Sequence, residues 1–152
     1  MKLATALSER ADIQRRLSQL QVRLNNNAKV QEGEEPAEDP KQLLKELDAL
    51  LQRLEWLMAR INLTNSATLV EGRTLTELLA RRDCLNKRLG LLRSFLDNAS
   101  AKTERYSQKE IKILSTVKVA QLQKDLDADS RALRQLDEQI QSLNWTTELI
   151  EN

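Results

Sequence analysis

The sequence predicts an all-α protein: an antiparallel four-helix bundle-like domain with long loops and one short β-hairpin. Three observations lead there. Four segments carry apolar residues alternately three and four positions apart, the spacing that gathers side chains on one face of an α-helix. The composition is hydrophobic at 40%, nearly devoid of aromatics at 3%, and charged at 31%; Leu, Glu, Lys, Arg and Gln dominate, and all lose little rotamer freedom in a helix. Only three Gly and two Pro interrupt the chain, so long helices are allowed. At 152 residues it is long enough for one domain, 1–152, with a real core.

The first helix is expected over 2–24, on the stripe Leu3, Ala6, Arg10, Ile13, Leu17, Leu20 and Leu24. Arg10 is the odd member, and its long apolar stem lets the head reach outward from the seam. Residues 25–39 then break the helix. Asn25, Asn26 and Asn27 compete for backbone hydrogen bonds, Gly33 is too free, and Pro36 and Pro40 lack an N–H. A loop of about 15 residues is near the length at which connections are either functional or disordered.

Asp39 stands where a side-chain oxygen caps a second helix, 40–63, and Pro40 fits its first position. That helix carries its apolar residues in pairs, Leu43/Leu44, Leu50/Leu51 and Leu57/Met58, with Leu47, Leu54 and Ile61 between them. So wide a stripe implies more than one packing neighbour. Trp56 widens the arc and reads as packing or an interface anchor. Asn62, Thr64, Asn65, Ser66 and Thr68 read as a polar stop, and Gly72 as the tip of a short hairpin. Thr74 and Glu77 have the spacing of a capping box for a third helix, 75–97.

The third stripe is Leu75, Leu78, Arg82, Leu85, Leu89, Leu92 and Leu96. Arg82 repeats the anomaly of Arg10; helical rise puts the two at one level, with Asp137 level with them and Asp129 about 12 Å away. Cys84 lies off the stripe between Arg81 and Arg88; with no second Cys and no His in the chain it reads as inert. Ile111 and Ile113, set among Lys109, Glu110 and Lys112, read as a short strand. The fourth helix, 119–144, carries Leu122, Leu126, Asp129, Leu133, Leu136, Ile140 and Leu143.

Most chemistry is excluded by what the sequence lacks. Without His there is no commonest general base and no Glu-x-x-His pair for a di-iron bundle. Asp125, Asp127 and Asp129 imitate a calcium loop, but Ser130 stands where its Gly belongs and Leu136 where its bidentate Glu belongs. Basic pairs are interleaved with acids, aromatics for base stacking are missing and the net charge is +1, so no nucleic acid is expected. No cofactor or metal is expected, and the protein reads as no enzyme. The first residues are too weakly apolar for a secretion signal, no segment spans a membrane, and one Cys suits a reducing compartment, so a cytoplasmic location is expected.

Two clusters remain as candidate sites. Asn65, Arg73, Asn144 and Trp145 would gather at one bundle end and could bind a small ligand. Glu32, Glu34 and Glu35 of the first loop would face Lys109 and Lys112 of the second as an interaction surface, each exposed pair contributing about 0–1 kcal/mol.

Asn26-Asn27-Ala28-Lys29-Val30-Gln31-Glu32-Gly33-Glu34, Thr64-Asn65-Ser66-Ala67-Thr68, Gly72-Arg73-Thr74-Leu75, Arg105-Tyr106-Ser107, Ser115-Thr116-Val117 and Leu143-Asn144-Trp145-Thr146-Thr147 together resemble the septicolysin-like family of small bacterial proteins. The similarity covers essentially the whole chain. Lys118 departs from it, where the family pattern favours a capping Asp. The resemblance implies a membrane-active, pore-forming alternative. From the residues themselves the expected role is a self-associating helical interaction protein, a homo-oligomer with scope for another protein partner; binding of a small ligand or metal is the third reading.

Overall fold

The computed structural model describes residues 1–101 and 111–152. It is all-α and bundle-like: α1 (Leu3–Asn26), α2 (Pro40–Ala67), α3 (Leu75–Ser100) and α4 (Val119–Thr146), with the hairpin β1 (Leu69–Val70) and β2 (Arg73–Thr74) between α2 and α3. The chain divides into two compact units, Met1–Leu75 with Gln141–Asn152, and Thr76–Ile140.

Each helix runs two to four residues past its expected end, for one physical reason. Ser, Thr and Asn read from the sequence as stops because their side chains compete for backbone hydrogen bonds, yet the same groups can bond the carbonyl four residues back and ride along the helix. Thr64 Oγ1 donates to the Arg60 carbonyl at 2.8 Å and Ser66 Oγ to that of Asn62 at 2.9 Å. Ser100 Oγ donates to Leu96 at 2.8 Å and Thr146 Oγ1 to Ser142 at 3.0 Å. Starts were better defined: Asp39 Oδ1 accepts the Lys41 N–H at 3.0 Å, with Pro40 in the first turn as expected.

In the first unit α1 and α2 pack antiparallel. Leu3, Ala6, Ile13 and Leu20 from α1 and Leu43, Leu50, Leu57 and Ile61 from α2 are buried, and Leu75 and Leu149 join them. Burial of each such Leu or Ile contributes about 1.5–3 kcal/mol. The β-hairpin pairs Leu69 with Thr74 and Val70 with Arg73. Its two-residue turn needs positive φ at both central positions, and Glu71 and Gly72 supply 51° and 81°. Residues 1–3 and 147–149 also run antiparallel: Leu3 N–H donates to the Thr147 carbonyl at 2.9 Å and Leu149 N–H to that of Met1 at 2.8 Å.

In the second unit α3 and α4 pair through Leu89, Leu96 and Leu126, with Leu92, Val119, Leu122 and Leu133 packed around them. Arg82 Nε lies 3.9 Å from Asp137, one of the residues expected at its level, and Arg88 Nε lies 3.1 Å from Asp129. The strand expected at Ile111 and Ile113 does not form. Residues 111–115 have no regular structure, and Ile111, Ile113 and Leu114 are exposed, since no described segment offers them a ladder.

Candidate functional site

The first unit is a two-helix hairpin with two chemically different edges. Successive helical residues are 100° apart, so residues seven apart nearly line up. On one edge Glu9, Arg16 and Arg23 of α1 meet Glu46 and Arg53 of α2. Arg53 donates to both Glu9 oxygens, at 2.7 and 2.9 Å, and its guanidinium lies 4.5 Å from the Trp56 ring centroid, within cation–π range. Arg23 grips Glu38 through Nη2 at 2.7 Å and Nε at 3.1 Å and reaches Glu46 at 3.5 Å. The Arg53 guanidinium holds the Glu9 carboxyl below the usual carboxylate range, and Arg23 does the same to Glu38.

The loop between the helices is ordered from within. Asn27 is 7% exposed: its Nδ2 donates to the Arg23 carbonyl at 2.8 Å while its Oδ1 accepts the Glu38 N–H at 2.9 Å. Gly33 (φ 86°) lets the chain turn, and Glu34 N–H donates to the Gln31 carbonyl at 3.0 Å. The fold leaves a recess of about 530 Å³, lined by Asn26, Lys29, Gln31, Glu34, Glu35 and Pro36 among others. Of the expected interaction residues, Glu32, Glu34, Glu35 and Lys112 are exposed, and Lys109 lies outside the described residues. Glu38, another acid of this loop, pairs with Arg23 of its own hairpin.

The opposite edge is apolar. Leu43, Leu50 and Leu57 are buried, and each is followed by an exposed apolar residue: Leu44 is 50%, Leu51 45% and Met58 46% exposed. Leu47 and Leu54 lie half-buried between the two rows. On α1 the same edge carries Arg10, Leu17 and Leu24, all half-buried. Arg10 makes neither hydrogen bond nor ion pair among the described residues.

At the far end of α2, Thr64 joins the helix to the C-terminal tail. This side chain is fully buried, and its hydroxyl accepts the Ile150 N–H at 2.9 Å while donating to Arg60. Asn65 and Asn144 are half-buried and Arg73 and Trp145 exposed. Lys2 Nζ meets Glu148 at 2.5 Å and the Met1 ammonium meets Glu151 at 2.6 Å; Lys2 lowers the Glu148 carboxyl from its usual range. Among the described residues no three His, Cys, Asp or Glu side chains come together as metal ligands.

Asn27 and Thr64 were not singled out as functional positions by sequence reasoning. Asn27 reads from the sequence as a chain breaker, and Thr64 as a polar stop within the cluster at the bundle end. Their one distinguishing signal is position: each falls seven residues after a buried Leu or Ile, Asn27 after Leu20 and Thr64 after Leu57, and so continues an apolar row.

A family model of proteins of unknown function, DUF6847, matches residues 10–149. The chain belongs to this family. It is also similar to a solved structure, described as that of a functionally unknown conserved protein from Corynebacterium diphtheriae, at 45% identity over 98% of each chain with a TM-score of 0.89. No curated protein matches. The septicolysin-like resemblance is therefore corrected: loop and helix-end motifs suggested it, and the family match over residues 10–149 assigns the sequence to DUF6847. The pore-forming alternative rested on that resemblance and loses that support. Among the described residues no helix is long and apolar enough to cross a membrane.

Proposed function

We propose that this DUF6847 protein is a helical interaction protein that associates with itself through α2, as a structural component rather than a catalyst. The observation that carries the reading is the row Leu44, Leu51 and Met58. Isolated exposed apolar residues are normal, but this row repeats every seven residues beside a second row, Leu43, Leu50 and Leu57, that is buried. Two apolar rows on one helix are the pattern of a helix packed between two neighbours. Here α1 accounts for one neighbour. A cytoplasmic setting belongs to the same proposal and is supported by the single, exposed cysteine, Cys84.

The test is absolute mass in solution by light scattering over a concentration series. A multimer that dissociates on dilution is expected, and Leu51→Lys shifts the curve toward monomer. A monomer at every concentration overturns the reading.

A further inference from the structure

Resting on the self-association just proposed, we infer that the second copy lays its α2 along α1 of the first, so that Arg10 pairs with Asp48 and Glu55 of the partner subunit, and the reverse.

The argument begins with an imbalance between the hairpin's two edges. On the ionic edge the charges are matched within the chain: Glu9 with Arg53, Arg16 and Arg23 with Glu46, and Arg23 with Glu38. Arg10 is next to Glu9, but 100° of rotation puts it on the other edge, in line with Leu17 and Leu24. There it is half-buried and has neither hydrogen bond nor ion pair among the described residues. Closing this face against a second copy would desolvate the guanidinium, which is unfavourable without a partner, so association asks for an acid that its own hairpin does not supply.

Two acids stand opposite in the required sense. Asp48 and Glu55 are seven residues apart on α2, one residue after Leu47 and Leu54, and form the outer rim of the row Leu44, Leu51 and Met58. Both are exposed and neither has an ion pair among the described residues. Across the face, then, lie a cation on α1, an apolar middle and two anions on the far rim of α2.

A two-fold axis running along the hairpin matches this pattern to itself. It places α1 antiparallel to α2 of the partner subunit and preserves height along the helices. The Glu9–Arg53 pair sets that height, putting Arg10 level with Gln52. At 1.5 Å per residue, Asp48 and Glu55 of the partner subunit then lie about 6 and 4.5 Å above and below that level along the helix axis, one on each side. The symmetry repeats the contact, Leu44, Leu51 and Met58 close over Leu17 and Leu24, and four helices surround one core.

Charge reversal tests this against simple apolar association. Arg10→Glu alone places three acids together at each contact, and Asp48→Lys/Glu55→Lys alone places three cations together. Each variant of the full chain should dissociate at roughly tenfold or more higher concentration than wild type, while an equimolar mixture, in which both contacts are again of opposite sign, should recover the wild-type mass. Arg10→Gln, which removes charge without reversing it and leaves folding least disturbed, should fall between; circular dichroism checks that helicity is retained. Variants that associate like wild type, or a mixture that stays dissociated, overturn the pairing while leaving self-association standing. A wild type that never associates removes both.

Discussion

The side-chain oxygen of Asn27 accepts the backbone N–H of Glu38 at 2.9 Å, joining the last turn of α1 to the far end of the loop eleven residues on. The same amide's Nδ2 holds the Arg23 carbonyl, and Arg23 holds the Glu38 carboxylate. Three residues thus close a ring over a loop that composition alone marks as unstructured. Asn27→Ala leaves the part-buried Glu38 N–H without its acceptor, at about 1–3 kcal/mol, while the Arg23 carbonyl keeps the backbone N–H of residue 27. Denaturant unfolding should show that loss, and hydrogen exchange at the Glu38 amide should accelerate by more than the global change explains.

Thr64→Val keeps the shape of a fully buried side chain and removes only its hydroxyl. The Ile150 N–H loses its acceptor, so a destabilisation of about 1–3 kcal/mol is expected, together with faster proteolysis of the tail after residue 146. Thr64→Ser, which retains the hydroxyl, should protect the tail better than Val does.

Glu9, Glu38 and Glu148 all have carboxyls lowered from an ordinary value of 4.5, by Arg53, Arg23 and Lys2 respectively. A lowered carboxylate stabilises the fold fully above its unfolded value and loses that contribution as pH falls through its folded value. The melting temperature should therefore fall progressively as pH drops below about 4.5. Glu9→Gln, measured beside wild type, should lower the melting temperature near neutrality and show a shallower acid decline.

Leu57 and Leu51 separate folding from association. Leu57→Ala opens a cavity in the α1–α2 core and should cost about 2–5 kcal/mol. Leu51 is nearly half exposed. Its Ala variant should unfold within about 1 kcal/mol of wild type under conditions where the chain is monomeric, yet associate more weakly.

Two glycines should respond with opposite sign. Gly72 sits at φ 81° in the hairpin turn, where a side chain is strained, so Gly72→Ala should cost about 1–2 kcal/mol. Gly90 lies within α3 with open space where a Cβ would go, and Gly90→Ala should stabilise by about 0.5–1 kcal/mol. Thermal unfolding distinguishes the two directly.

The local residue pattern by itself determined the all-α class, the four helices, the cap at Asp39 and the turn at Gly72, because these depend on residues within one or two turns of each other. It also placed Arg82 level with Asp137, since helical rise converts residue number into height. Tertiary structure decided what local rules could not. Asn27 and Thr64 end helices or extend them according to whether a buried partner is present to take their second hydrogen bond. Glu38 turned from a loop acid into the clasp of Arg23, and Ile111 and Ile113 stayed without a ladder. Spacing shows which face of α2 is apolar, but packing alone assigned Leu43, Leu50 and Leu57 to the core and left Leu44, Leu51 and Met58 at the surface. Burial belongs to pairs of segments, whereas periodicity belongs to one.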